Sequence, residues 1–277
     1  MSLESPQQIL RRHGLRPKKD WGQNFLGDER ILARIAEGCT VGPGDTVVEI
    51  GAGLGHLTRM LASTGARVVA VERDRELVAV LEKELALPEV KVVAANAAEL
   101  DFAQLAGVPR PVVAGNLPYH LSSSILFQVL DQRESVARAI FLLQKEVAVR
   151  IASGPGHRDY GLLSVLLQAY AEAEVLFDVP AGAFHPPPQV DSAVLRIDLL
   201  PKPRAPIADH ARFVRLVKAA FGQRRKTLAN ALKSARELGD GDAILQALAA
   251  AGVAPERRAE TLKPEEFAAI ERALPRS

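Results

Sequence analysis

Cysteine is almost absent from this chain: Cys39 is the single one among 277 residues. No internal disulfide and no cysteine-built metal cluster can form from it. The six histidines are scattered without ligand spacing, so no metal site is expected. No segment approaches the ~18 uninterrupted apolar residues of a membrane-spanning helix. Met1 to Lys19 carries basic residues without the apolar stretch of a secretory leader. Secretion and membrane insertion are therefore not expected, and a reducing, cytoplasmic setting is.

What is present is an ordinary globular composition, 48% hydrophobic and 25% charged, in a chain long enough for one large domain and a smaller one. Strand-like apolar runs at Thr46 to Ile50, Arg67 to Val71, Lys91 to Ala95, Pro111 to Gly115 and Arg138 to Leu143 alternate with helical patterns. This predicts an α/β domain with a mostly parallel sheet over residues 1–200, completed by runs at Val175 to Val179 and Ser192 to Leu199. The three prolines of Pro201 to Pro206 read as a linker. Helical spacing then dominates, at Phe213 to Phe221, Lys226 to Glu237, Ala243 to Ala250 and Pro264 to Ala273, predicting a small all-helical C-terminal domain over 201–277. The net charge of +2 hides an asymmetry: 20 basic against 24 acidic residues up to Leu200, but 15 against 9 after it. A basic second part suggests a polyanionic partner, although a charged helix face explains any one run equally well.

The run Glu49-Ile50-Gly51-Ala52-Gly53-Leu54-Gly55-His56 is a strand, a glycine turn and a helix start, which lets a ligand approach the backbone closely. A dinucleotide fingerprint needs a small residue where this chain has His56, which disfavours a pyrophosphate ligand. The three glycines instead resemble the first motif of class I S-adenosylmethionine-dependent methyltransferases. Glu72 ends the next strand-like run, where an acid can accept hydrogen bonds from both ribose hydroxyls. Asn96 follows the third run; its amide suits an adenine edge, and a strand-end turn suits it equally.

The tetrapeptide Asn116-Leu117-Pro118-Tyr119 follows the fourth run. The exocyclic amine of adenine is a poor nucleophile because its lone pair is delocalised into the ring. Two acceptors on its two N–H bonds draw that pair back. The Asn116 side-chain oxygen and the Leu117 carbonyl, held extended by the following proline, are the candidates. Tyr119 would stack on the base, which is worth roughly 1–3 kcal/mol. Alone, the segment fits a plain strand-end turn equally well.

Together these segments resemble the ribosomal RNA small-subunit adenine dimethyltransferases, the kasugamycin-sensitivity family. The match includes Gly22-Gln23-Asn24-Phe25-Leu26, Glu49 to Thr58, Val71-Glu72, Gly115 to Tyr119, Leu143 to Val147, Pro186 to Ala193, Gln223 to Leu228 and Arg257 to Glu260. The resemblance implies a Rossmann-like class I methyltransferase domain with a seven-stranded sheet and a helical, RNA-contacting C-terminal domain. It implies S-adenosyl-L-methionine as cofactor, held by Gln23, Asn24, Leu26, Gly51, Gly53, Glu72, Asn96 and Asn116. Relatives often carry aspartate at the Asn96 position. Phe184 is implied to hold the target base opposite Tyr119, with core packing as its alternative. The implied substrate is a pair of adjacent adenosines in the 3′-terminal hairpin loop of small-subunit rRNA, within the assembling 30S subunit. Arg11, Arg12, Lys18 and Lys19, ahead of the first helix, and Arg224, Arg225 and Lys226 would contact RNA, with a monomer as the expected state. Macrolide-resistance methyltransferases of the large subunit usually have isoleucine where this chain has Leu117, which favours the small subunit. A non-catalytic nucleic-acid-binding assembly factor is the alternative from another class, and intact Gly51, Glu72 and Asn116 argue against it.

Overall fold

The computed structural model describes residues 3–223 and 225–275. A two-stranded ribbon joins β1 (Phe25–Leu26) to β8 (Phe184–His185). The main sheet has seven strands: β2 (Thr46–Ile50), β3 (Arg67–Glu72), β4 (Val90–Ala94), β5 (Val112–Asn116), β6 (Arg138–Gln144), β7 (Ala171–Val179) and β9 (Ser192–Leu199), in the order β4-β3-β2-β5-β6-β9-β7. β4, β3, β2, β5 and β6 run parallel, and β9 is antiparallel to β6. Every residue of β2 is buried, as expected for a central strand with both faces covered.

The helices up to β7 are α1 (Pro6–Arg12), α2 (Glu29–Cys39), α3 (His56–Ser63), α4 (Arg75–Glu84), α5 (Phe102–Ala106), α6 (Ser122–Asp131), α7 (Lys145–Ala152) and α8 (Leu162–Gln168). Aspartates start several of them: Asp28, Asp74 and Asp101 accept backbone N–H bonds at the N-caps of α2, α4 and α5. α1 is closed by a capping box of Ser5 and Gln8, so Arg11 and Arg12 lie in its last turn rather than ahead of the first helix.

The chain divides into two compact units, Met1–Ala148 with Glu174–Leu199, and Val149–Ala173 with Leu200–Ser277. The stretch 149–173, expected in the sheet domain, thus lies in the second unit. There the fully buried Tyr160 donates its hydroxyl to the Leu262 carbonyl at 3.0 Å, and Gly156 N–H reaches the Glu260 carbonyl at 2.8 Å. The rest of that unit is α9 (His210–Gly222), α10 (Leu228–Leu232), α11 (Gly241–Ala250) and α12 (Pro264–Ala273). Its buried cation, Arg212, donates from Nε (2.8 Å) and Nη2 (2.6 Å) to Glu271 Oε1. The backbone amides of Ala208 and Asp209 also donate to Glu271, so the pair is fully hydrogen-bonded.

Two elements differ from their sequence pattern. β7 begins at Ala171, four residues before the apolar run, because exposed Glu172 and Glu174 alternate with inward residues as an edge strand allows. The helix expected over Lys226 to Glu237 shortens to α10, since the Ser234 hydroxyl donates to the Ala231 carbonyl at 2.6 Å and competes with continued helix.

The close approach of β2 and β5 admits no side chain at Gly115: a Cβ there would strike the Ile50 carbonyl oxygen. Gly115→Ala is expected to cost about 1–3 kcal/mol of stability by overpacking, read as a lower denaturant midpoint. An unchanged midpoint would contradict that approach.

Candidate active site

The C-terminal ends of β2, β3 and β5 supply the site. After β2 the chain turns through Gly51 (φ 72°) and Gly53 (φ 58°), left-handed conformations that suit glycine and strain other residues. Gly51 and Ala52 N–H groups both donate to the Val71 carbonyl, at 2.9 and 3.1 Å, which ties the turn to β3. Gly53 N–H donates to Glu72 Oε2 at 3.0 Å, and Asp74 N–H to Glu72 Oε1 at 2.8 Å. Burial pushes the Glu72 carboxyl above its ordinary value, while these backbone donors pull the other way. Each oxygen keeps lone-pair capacity for a further donor such as a ribose hydroxyl.

Asn116 is the last residue of β5. Its Nδ2 donates to the Asn24 carbonyl at 2.8 Å. That bond assigns the amide orientation and leaves Oδ1 as an acceptor with no partner among the described residues. Leu117 anchors the turn: its side chain is 2% exposed and its N–H donates to the Leu142 carbonyl at 3.2 Å. Its own carbonyl receives no hydrogen bond among the described residues, whereas the Pro118 carbonyl is taken by Leu121 N–H at 2.9 Å. The half-buried Tyr119 shares a 2.8 Å hydrogen bond with the hydroxyl of fully buried Ser192, so its ring is tethered at the far end. Burial raises the Tyr119 phenol above its usual range, keeping it neutral.

A strap over residues 18–24 borders the same space. A single 3₁₀ turn, Lys19–Trp21, ends at Gly22 in the left-handed region. The Gln23 side chain accepts from Lys18 N–H at 2.9 Å. Strap, glycine turn, Glu72 and Asn116 to Tyr119 enclose a cavity of about 310 Å³, the size of a small-molecule site. The cavity brings together Gln23, Asn24, Gly51, Gly53, Glu72 and Asn96 with Asn116, Leu117, Pro118 and Tyr119. It also brings in Trp21 and Arg73, which sequence reasoning missed. The Arg73 guanidinium lies 4.4 Å from the Trp21 ring centroid. A lone aromatic next to the Gly22 to Leu26 motif was the available signal.

Two expected site residues stand elsewhere. The β1–β8 ribbon pairs Leu26 with Phe184 and buries both in an apolar cluster with Leu32, Ile35 and Val194. Phe184, 6% exposed, does not line the cavity and is in the core. Leu26 lines a neighbouring recess of about 40 Å³ rather than the cavity. Asn96 lines the cavity, but its amide is engaged locally: Oδ1 accepts from Ala98 N–H at 3.3 Å and Nδ2 donates to Glu99 at 2.9 Å.

The basic candidates also divide. Arg12 is held by Glu4 at 2.7 Å and Glu84 at 2.5 Å, and Lys18 by Asp74 at 2.8 Å and Glu76 at 2.6 Å, so both cations are already matched by carboxylates. Arg11, Lys19, Arg225 and Lys226 are exposed. Arg224 lies outside the described residues.

Residues 14–275 match the sequence profile of ribosomal RNA adenine dimethylases. The chain belongs to the ribosomal RNA adenine dimethylase family. Within it, the chain is 62% identical to the ribosomal RNA small subunit methyltransferase A of Myxococcus xanthus, over 98% of this chain and 96% of the relative. It is 46% identical to the protein of the same name from Moorella thermoacetica, over 96% and 95%. Among solved structures, the dimethylase chain superposes on the 23S rRNA methyltransferase ErmE with a TM-score of 0.69 at 28% identity, covering 91% of this chain and 99% of that one. The fold is shared with a dimethyladenosine transferase from Plasmodium falciparum, TM-score 0.75 at 21% identity over 89% and 95%. By family, this dimethylase is an S-adenosylmethionine-dependent rRNA methyltransferase.

Beneath the glycine turn of the dimethylase, Glu49 is 1% exposed and its Oε2 has no hydrogen-bond partner among the described residues. Burial, with the Glu72 charge adding, pushes its carboxyl up to about 8 from 4.5. The folded chain therefore holds a proton that the unfolded chain releases near 4.5, and stability is lost as pH rises from there through about 8. Glu49→Gln, which mimics the protonated acid, is expected to flatten this decline. Melting temperatures of both proteins from about pH 5 to pH 8 check it; parallel curves would contradict it.

Proposed function

We propose that this chain transfers methyl groups from S-adenosylmethionine to the exocyclic N6 of two adjacent adenosines in the 3′-terminal hairpin loop of small-subunit (16S) rRNA, giving dimethyladenosines during ribosome assembly. The observation that carries the reading is the Asn116 amide, fixed by the Asn24 carbonyl with its oxygen uncommitted beside the open Leu117 carbonyl.

The cavity fits the cofactor. Its volume, the glycine turn that admits close backbone approach and the buried acid suit a nucleoside with an amino-acid tail. Glu72 would take the ribose hydroxyls, Gly51 and Gly53 would lie along the body of the molecule, Asn96 would flank the adenine end, and Gln23 and Asn24 would cover it from the strap. The cofactor supplies a methyl group on a positively charged sulfur, a strong electrophile at neutral pH.

The protein's task is then positioning and charge stabilisation. Asn116 Oδ1 and the Leu117 carbonyl accept the two N–H bonds of the target amine. They draw the lone pair onto nitrogen and favour the positive charge that develops as the N–C bond forms. Pro118 keeps the Leu117 carbonyl in place. Tyr119, tethered by Ser192, gives the flat base a stacking face. The methylated amine releases its proton to water, so no general base is needed. An unpaired loop suits this site because the base leaves its stack at low cost.

Exposed Arg11, Lys19, Arg225 and Lys226 would contact phosphate, with the basic second unit as the main RNA-holding part. Phosphate contacts position without specifying. We take the working form to be a cytoplasmic monomer; among the described residues no helix is long and apolar enough to cross a membrane.

Asn116→Ala is expected to lower the methylation rate by roughly 10²–10³, the usual cost of one oriented polar contact. A rate equal to the parent's would sink the acceptor assignment. Mapping methylated positions after incubation with undermodified small and large subunits tests the substrate: two adjacent adenosines of the small subunit are expected, and large-subunit methylation would favour the macrolide-resistance alternative. Arg225→Glu with Lys226→Glu is expected to weaken RNA binding roughly equally across sequences and to leave cofactor affinity unchanged. Unaltered RNA affinity would reduce both side chains to solvated surface.

A further inference from the structure

Asp74 belongs to none of the ligand-facing groups above, yet it is 3% exposed and engaged on every side. Its Oδ1 accepts from Lys18 Nζ at 2.8 Å and caps α4 through Glu76 N–H at 3.2 Å. Its Oδ2 accepts from Gln23 Nε2 at 2.9 Å, and its own N–H donates to Glu72 at 2.8 Å. Lys18 and Gln23 are the two ends of the strap, and the Gln23 side chain closes it by accepting from Lys18 N–H. One buried carboxylate therefore clamps both ends of the segment. The next residue, Asn24, carries the carbonyl that receives Asn116 Nδ2.

We propose that Asp74 is a positioning residue for methyl transfer, which by clamping the Lys18–Asn24 strap sets the orientation of the Asn116 amide. This rests on the reading of Asn116 as acceptor. If the strap lifts, the Asn24 carbonyl withdraws and Asn116 Nδ2 loses the one acceptor it has among the described residues. The amide is then free to rotate and present its N–H₂ to the substrate amine. Two donors facing each other remove the pull on the lone pair and repel. A cap for α4 needs only one acceptor oxygen, so capping alone does not account for a carboxylate that also takes two strap donors.

The test separates capping from positioning. Asp74→Ser keeps a good N-cap but lacks the second oxygen and the charge that hold the strap. At saturating S-adenosylmethionine its kcat on undermodified small subunits is expected to fall about ten- to a hundredfold, the scale of a small misplacement at a reacting centre. Trp21, the one tryptophan of the chain, sits in the strap with Lys18 Nζ 5.1 Å from its ring, so its emission should shift to the red as the strap undocks. In an Asn116→Ala background, Asp74→Ser is expected to add no further loss of kcat, because both changes remove the same oriented contact. Gln23→Leu leaves the cap of α4 untouched and is expected to reproduce the kcat loss, which covers the case of Asp74→Ser failing to fold. A change confined to the cofactor KM, or kcat losses that multiply in the double variant, overturns the proposal. Full activity in Asn116→Ala alone overturns the acceptor reading beneath it instead.

Discussion

The site depends on how closely β2 and β5 run at their C-terminal ends. The order β4-β3-β2-β5-β6 places the chain reversal of the sheet between these two strands, where the following connections leave in opposite directions and open a crevice. Gly115 brings the strands within reach because nothing larger clears the Ile50 carbonyl, and the Asn116 carbonyl oxygen ends 3.6 Å from where a Cβ of Gly51 would stand. The glycine turn after one strand and the Asn116 to Tyr119 turn after its neighbour are thereby set side by side on one cavity. Rigid strand ends hold side chains more precisely than loops do, and both turns inherit that rigidity.

The parts legible in the sequence were those whose signal is local. Thr46 to Ile50 and Ser192 to Leu199 appear as strands at the expected bounds because continuous or alternating apolar runs encode them. Gly51 and Glu72, picked out by type and spacing, both line the cavity. What depended on distant pairing was not. Phe184 carries a motif resemblance, but its neighbour is Leu26, some hundred and sixty residues away, and that ribbon turns it into the core. The stretch 149–173 begins inside α7 and ends inside β7, and contacts with residues beyond 200, such as Tyr160 to Leu262, tie it to the helical unit. Asp74 looks like any helix-capping aspartate until Lys18 and Gln23 are seen to converge on it.

Charge follows the same division. The N-terminal cations counted as RNA contacts include two, Arg12 and Lys18, that are spent on Glu4, Glu84, Asp74 and Glu76. In the second unit Arg212 is likewise neutralised by Glu271, while Arg225 and Lys226 remain exposed. A residue count gives the sign of the field; the ion pairs decide which cations project it.

The burial of Asp74 gives the strap and the exposed cations different sensitivities to ionic strength. Counterions screen exposed charges within about 10 Å at moderate salt and reach a buried pair far less, and phosphate contacts weaken steeply as salt rises because bound counterions are no longer released at a profit in entropy. The carboxylate under the strap has a side chain only 4% exposed. Raising the salt should therefore weaken whatever the exposed cations hold far more than it loosens the grip of Asp74 on Lys18 and Gln23, which makes the strap the less salt-sensitive of the two.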